Sequence, residues 1–302
     1  MTGEDNVLTT HRLKIKNVTA AQPLHLHLIG DIHYDSPQCD RPALHRVLDL
    51  VRAQHDAGEN YRVLLLGDYN DRCSESERTK LMHAKVHEST QATWDRDALR
   101  DLKEVLDALW FARGNIVGCI QGNHYWRFLT GPHAGQSSDA VMAEKLGCKW
   151  LGFLSYIRLA LYYSTTTNTP YDIVACHGGR GGGKLVGTSI NQVDDLRRVF
   201  PGADLYCAGH NHQSGAVPAA ALFPAPVGGN VGAGSALEIR EKKQMLVRTG
   251  SFLKGYEQDT PSYVVRGLWK PSCLGHAEIV IALHGPQQSG RRRLVVDAKA
   301  VV

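Results

Sequence analysis

The sequence predicts an α/β protein. Short apolar runs alternate with stretches of helical periodicity over the first two thirds of the 302 residues, and strand-like segments without intervening helices follow. A second observation sharpens this. The texts IGDIHYD, LLGDYND, IQGNHYW, VACHGG and CAGHNHQ each place Asp, Asn or His just where an apolar run ends. Open α/β sheets carry their chemistry at such strand ends.

Taken in order, HLHLIG at 25–30 alternates and then stops at Gly30 and Asp31, as a buried strand with a loop after it does. Asp40 and Pro42 open an amphipathic helix, ALHRVLDLVRAQ, that closes at Gly58. RVLLL at 62–66 is a second strand, and the polar stretch 72–94 is a helix or excursion along one rim. From Asp95 to Arg113, Leu99, Leu102, Leu106, Leu109 and Trp110 recur at helical spacing. NIVGCIQG at 115–122 is a third strand, a short helix is expected near 138–146, and 150–163 holds one or two strands. DIVACHG leads to His177, and Ser189 with Gln192 reads as a capping box for a helix ending near Phe200. DLYCAGH at 204–210 is a further strand. Beyond it, 236–249, 262–268, 278–283 and 292–297 read as strands, while 215–234, rich in Ala, Gly and Pro, reads as a loop shaping an entrance. The expectation is one domain over 1–302: a two-sheet sandwich flanked by helices, with 213–302 completing the second sheet.

Composition narrows the class. The chain is 43% apolar and 21% charged, and its longest apolar stretches fall well short of the roughly 20 residues that cross a bilayer. MTGEDNVLTTHRLKIKN lacks the basic-then-apolar order of a secretory signal. The seven cysteines show no paired metal-knuckle spacing, and Cys119, Cys176 and Cys207 sit in apolar runs where reduced thiols pack like small hydrophobes. A soluble, cytoplasmic protein without membrane partners is expected. The formal charge of +4 does not demand a nucleic-acid partner.

The strand-end residues form a chemical set. Asp31 and His33 can turn two side chains toward one cation, Asp68 after the next strand is the natural bridging carboxylate, and Asn123, His177, His210 and His212 complete enough oxygen and nitrogen donors for two adjacent ions. His124 is left free to handle a proton. Asp71, three residues beyond Asp68, either hydrogen-bonds a ligand histidine or holds the loop, and is not expected to bind metal itself. Arg180, set among Gly178, Gly179, Gly181, Gly182 and Gly183, either clamps a phosphate or sits on a solvated lid; Arg127 and Lys184 are weaker candidates for the clamp. Tyr34, Tyr125 and Trp126 either stack on a base or sugar or anchor their loops. His133 and His276 are weaker ligand candidates.

In GDIH at 30–33, GDYND at 67–71, GNH at 122–124, the His177 loop and GHNH at 209–212, the chain resembles the calcineurin-like metallophosphoesterases, in motif order over 31–212. The resemblance implies a four-layer α/β/β/α sandwich. It also implies Asp31, His33 and His212 on one metal, Asn123, His177 and His210 on the other, Asp68 bridging, and His124 hydrogen-bonding the phosphate or protonating the leaving oxygen. Tyr125 stands where much of the family has an acidic residue supporting that histidine, so either Asp71 or a carboxylate from elsewhere supplies the support here, or His124 works without it.

The expected activity is hydrolysis of a phosphate ester by two divalent metal ions. Manganese is the first choice, with iron, zinc, nickel or cobalt compatible with the same donors. The preferred substrate is a phosphodiester in a nucleotide or nucleic acid. The alternatives are a small-molecule phosphomonoesterase and a non-catalytic nucleic-acid binding module.

Overall fold

The computed structural model describes residues 7–84, 86–179, 187–226, 236–259, 263–268, 270–284 and 295–301. In chain order the strands are β1 (Leu8–Ile15), β2 (Leu24–Ile29), β3 (Tyr61–Leu65), β4 (Ile116–Cys119), β5 (Lys149–Trp150), β6 (Leu154–Tyr162), β7 (Asn168–Cys176), β8 (Leu205–Ala208), β9 (Gly215–Pro226), β10 (Leu237–Arg248), β11 (Ala277–His284) and β12 (Val295–Val301). The helices are α1 (Arg41–Asp56), α2 (Glu75–His83), α3 (Glu88–Leu109), α4 (Ser138–Leu146), α5 (Thr188–Val199) and α6 (Tyr263–Gly267).

Strand periodicity builds the layers. One sheet runs β12-β11-β2-β3-β4-β5 and the other β1-β6-β7-β8-β10-β9. Alternate side chains of β2 and β3, among them Leu26, Leu28 and Leu64, point between the sheets and meet Ile173, Ala175, Leu205 and Cys207. The other faces of the first sheet, through Val63, Leu65, Ile116 and Cys119, pack on α1, α3 and α4. On the far side Val174, Tyr206 and Ala208 bury Val193 of α5. The result is the expected α/β/β/α order. Each fully buried leucine in the middle layer contributes about 1.5–3 kcal/mol. Among the described residues no helix is long and apolar enough to cross a membrane.

Helix α1 starts as its sequence indicates, with the Asp40 carboxylate accepting from the Ala43 amide at 3.0 Å. Helix α3 begins seven residues before Asp95, because its first two turns carry polar side chains that leave no apolar stripe to read.

Several segments differ from expectation for identifiable reasons. The C-terminal strands do not complete the second sheet together: β9 and β10 join one sheet, while β11 and β12 extend the other by antiparallel pairing of β11 to β2. Residues 215–226 form strand β9, not an entrance loop, and 227–234 lie outside the described residues. Proline is tolerated because β9 is an edge. Pro218, Pro224 and Pro226 share one parity, which lets all three imide nitrogens face away from β10. Within 262–268, Tyr263–Gly267 is helical despite its β-branched residues. Val264 is buried against Gly255, where a Cβ would lie 2.7 Å from its Cγ1. Strand β1 is inconspicuous in sequence because only Leu13 and Ile15 of its inward row are apolar. Ser189 and Gln192 do not form a capping box, since α5 is capped at Gly187. Arg248 meets this turn instead: its Nε donates to the Ser189 main-chain carbonyl at 3.0 Å and its Nη2 to Gln192 Oε1.

Candidate metal centre

Five strands, three from one sheet and two from the other, end at the same edge of the sandwich. β2 delivers Asp31 and His33, β3 Asp68, β4 Asn123 and His124, β7 His177, and β8 His210 and His212. The turns are tight enough to force unusual backbone geometry. Among the described residues eight non-glycine positions have positive φ, and five of them are in this set: Asp31 (49°), His33 (47°), Asp68 (50°), His210 (78°) and His212 (54°). Left-handed backbone at a non-glycine residue costs of order 1 kcal/mol or more and persists only where surrounding bonds overdetermine it.

Those bonds are present. The Asp31 amide donates to Gly67 O, and those of His33 and Tyr34 donate to Asp68 O and Tyr69 O, each at 3.0 Å, zipping the first two loops together. Asp68 Oδ1 accepts from the Asn123 amide at 2.7 Å and the His124 amide at 2.9 Å. Asp31 accepts from the His210 amide at 2.8 Å. Glycine is required where loops touch: a Cβ on Gly122 would collide with Asp68, and one on Gly209 with Asp31.

These constraints bring donor atoms within 4.8 Å of one another in three groups: Asp31, His33 and His212; Asp68, His177 and His210; and His33, Asp71 and His124, the last sharing His33 with the first. Asn123 Oδ1 lies 2.8 Å from both His177 Nε2 and His210 Nδ1, joining the second group. Asp68 Oδ2 stands between the first two groups, 3.0 Å from His177 Nε2 and 3.8 Å from His33 Nε2. A divalent cation fits this arrangement: His33 Nε2 is buried without a hydrogen-bond partner, and no cysteine is among the donors. Outer contacts orient the rings. His177 Nδ1 donates to Leu66 O at 2.7 Å, turning Nε2 inward, and His33 Nδ1 donates to Asp71 Oδ1 at 3.2 Å.

Electrostatics follow from burial and proximity. Burial alone pushes the imidazoles of His33 and His177 down. For His33 the bond to Asp71 and the charge of Asp68 reverse this, and for His177 the charge of Asp68 and the bond to it do so; both end at about 9. Burial and the neighbouring His177 push His210 down to about 4. Asp68 is held well below the usual carboxylate range, its burial outweighed by His177. Metal binding therefore requires displacing protons from His33 and His177.

His124 differs in exposure: its side chain is 21% accessible, against 1% for His33, and its Nδ1 lies 3.0 Å from Asp71 Oδ1. Asp71 thus serves both histidines, in place of an acidic residue at Tyr125. Asp35 secures it, accepting from the Asp71 amide and pairing with Arg72 at 3.1 Å.

The aromatic candidates are loop anchors. Tyr125 is buried beneath the Arg78 guanidinium, 3.7 Å from its ring; Tyr34 is buried with Arg41 over it; and Trp126 Nε1 donates to Asp95 at 2.8 Å. His133 bonds Gln136 and His276 stacks on His27, so neither joins the set. Arg180 and Lys184 lie outside the described residues. Two contributors carry no sequence signal of their own. Asp139, in the first turn of α4, accepts from the Gly122 amide at 2.8 Å. Arg248, at the end of β10 and 2% exposed, donates from Nη1 to Gly209 O.

A family model described as calcineurin-like phosphoesterase matches residues 24–214. No curated protein matches the chain. Among solved structures, a conserved uncharacterized protein described as a predicted phosphoesterase, from Streptococcus pneumoniae TIGR4, is similar at 11% identity and a TM-score of 0.30, over 91% of this chain and 98% of that one.

Proposed function

Since this chain belongs to the calcineurin-like phosphoesterase family, we propose that it hydrolyses a phosphodiester in a nucleotide or nucleic acid at a centre of two divalent ions. At the coarser level the chain is a metal-dependent hydrolase of phosphate esters. The observation that carries the reading is the pair of three-residue donor groups with Asp68 Oδ2 between them.

In this reading Asp31, His33 and His212 would hold one ion and Asn123, His177 and His210 the other, with Asp68 shared between the two groups. When bound, the ions supply Lewis-acid stabilisation of charge at the phosphate and an activated water. The protein's own residues supply alignment and a proton. His124, whose Nδ1 lies 3.0 Å from Asp71 Oδ1, would protonate the departing oxygen from its other ring nitrogen. Arg180 follows the His177 loop and is assigned to the phosphate oxygens. Manganese is the metal of choice, with iron, zinc, nickel and cobalt compatible with the same oxygen and nitrogen donors. Seven unpaired cysteines support a cytoplasmic setting.

The burial of Tyr34, Tyr125 and Trp126 removes base stacking as a support, so what supports the diester choice is the pair of donor groups with His124 beside them as a proton donor to a leaving oxygen.

Manganese-loaded protein is to be assayed on bis-(p-nitrophenyl) phosphate and p-nitrophenyl phosphate, then on single-stranded DNA, RNA and cyclic nucleotides. Diester cleavage is expected to exceed monoester cleavage. Asp68→Asn is expected to lose both metal and activity, and His124→Ala to lower kcat by roughly 10²–10⁴ with metal content intact. Full activity in metal-free protein overturns the dinuclear reading, and exclusive monoester activity overturns the diester preference.

A further inference from the structure

Behind the Gly122–His124 loop, outside the donor set, two free thiols stand 3.5 Å apart: Cys119 Sγ at the end of β4 and Cys148 Sγ just before β5. β5 pairs in parallel with β4, through Gly118 with Lys149 and Cys119 with Trp150, so the thiols lie on adjoining segments. Cys119 is fully buried and Cys148 partly exposed.

We propose that Cys119 and Cys148 form a reversible dithiol–disulfide couple, reacting with low-molecular-weight disulfides such as oxidised glutathione, and that its oxidation loosens the metal centre. The second half rests on the reading of the centre given above.

The two sulfurs have distinct environments. Burial pushes the Cys119 thiol well up, so it stays protonated, whereas the hydrogen bond from Cys119 lowers Cys148 and suits it to attack. The Cys148 thiolate attacks one sulfur of glutathione disulfide; the S–S bond of the oxidant breaks, and one glutathione leaves as its thiolate, taking up the proton Cys148 has lost. Cys119 then loses its proton, its sulfur attacks Cys148 Sγ in the mixed disulfide, and the second glutathione leaves as a thiol. Two protein thiols are oxidised by two electrons and one external disulfide is reduced to two thiols. Cys176 and Cys207 are both buried with their thiols pushed up, and neither offers an accessible sulfur for the first attack.

Closure requires the sulfurs to approach by about 1.5 Å, to the roughly 2.05 Å of a disulfide. The segments that must move both grip the metal-site loop. β4 continues through Ile120, whose carbonyl accepts from the Tyr69 hydroxyl at 2.7 Å, into Asn123 and His124. Helix α4, whose C-terminal cap Gly147 adjoins Cys148, holds the Gly122 amide through Asp139. Gly122 has no slack, since even a Cβ there would strike Asp68.

Metal-loaded protein is to be incubated with oxidised glutathione, mapped by mass spectrometry without reductant, and titrated with Mn²⁺ by calorimetry. The expected result is a Cys119–Cys148 cross-linked peptide, a fall in Mn²⁺ affinity of about tenfold or more, on the scale of outer-contact disruptions, and recovery with dithiothreitol. Cys148→Ser should keep its affinity under oxidant, and Cys119→Ser should retain glutathione on Cys148. Absence of the cross-link overturns the couple; a cross-link with unchanged affinity overturns the coupling. If even the reduced protein binds no Mn²⁺, the reading of the centre fails together with the coupling half of the proposal, while the cross-link still decides the couple.

Discussion

Replacing Asp139 by asparagine should stabilise the metal-free protein at alkaline pH and not at acid pH. Asp139 is 3% exposed; burial raises its carboxyl, the Gly122 amide partly offsets this, and the charge of Asp68 raises it further, leaving it at about 6 against an ordinary 3.8. An acid whose pKa is raised on folding binds its proton more tightly in the folded state. Its contribution is therefore most favourable below pH 3.8 and is lost as pH climbs from there through 6. At about 1.36 kcal/mol per unit, the charged carboxylate costs on the order of 3 kcal/mol above pH 6. Asparagine keeps an oxygen for the Gly122 amide but gives up a charge-assisted bond in favour of a neutral one, returning about 1 kcal/mol. The net gain at pH 8 is roughly 1–2 kcal/mol, a rise of a few degrees in Tm. Thermal unfolding of both proteins with chelator present, at pH 4.5 and pH 8, is the assay. Equal Tm differences at the two pH values would refute the argument that Asp139 is a charge held against its preference.

Two further outcomes follow from the centre. In the metal-free chain His33 and His177, raised to about 9, carry protons at pH 7, whereas His210, lowered to about 4, carries none. Mn²⁺ binding at pH 7 should thus release about two protons, and its affinity should rise with pH through about 9; calorimetry in buffers of different ionisation enthalpy measures this, and pH-independent affinity contradicts it. Arg248→Met removes the cation bonded to Ser189 O, Gln192 Oε1 and Gly209 O, next to His210. Loss of stability of about 1–3 kcal/mol is expected from the acceptors left unpaired, with metal content falling toward one ion per chain and partial recovery in Arg248→Lys; wild-type content and Tm in the methionine variant would count against it.

Much of the centre was legible because its parts are local. Each candidate ligand follows a strand within a few residues, and glycine marks the turn, as at Gly30, Gly67, Gly122 and Gly209. What was illegible depends on contacts distant in sequence. Asp139 reads as an ordinary first-turn helix acid until Gly122 is seen to donate to it. Ser189 and Gln192 satisfy a capping pattern, yet the helix already starts after Gly187, and the Gln192 side chain is taken by Arg248, nearly sixty residues on. The prolines of β9 argue against a strand unless it is known to lie at an edge. Tyr125 and Trp126, which suggested base stacking, are buried because Arg78 and Asp95 hold them.

The division of the C-terminal strands between the two sheets bears on how the chain is made. When His212 has been synthesised every candidate ligand exists, but β2 and β8, which carry Asp31, His33, His210 and His212 at their ends, still have open edges. β10 must arrive to cover β8, and β11 to cover β2. At 5–20 residues per second the interval from His212 to His284 lasts roughly 4–14 seconds. Until Arg248 has been made both edges are unpaired, and from there to His284 the β2 edge alone, while the nascent protein already bears a full set of metal donors. Cation capture during that interval would fasten the two half-built sheets to each other through the loops at their shared edge.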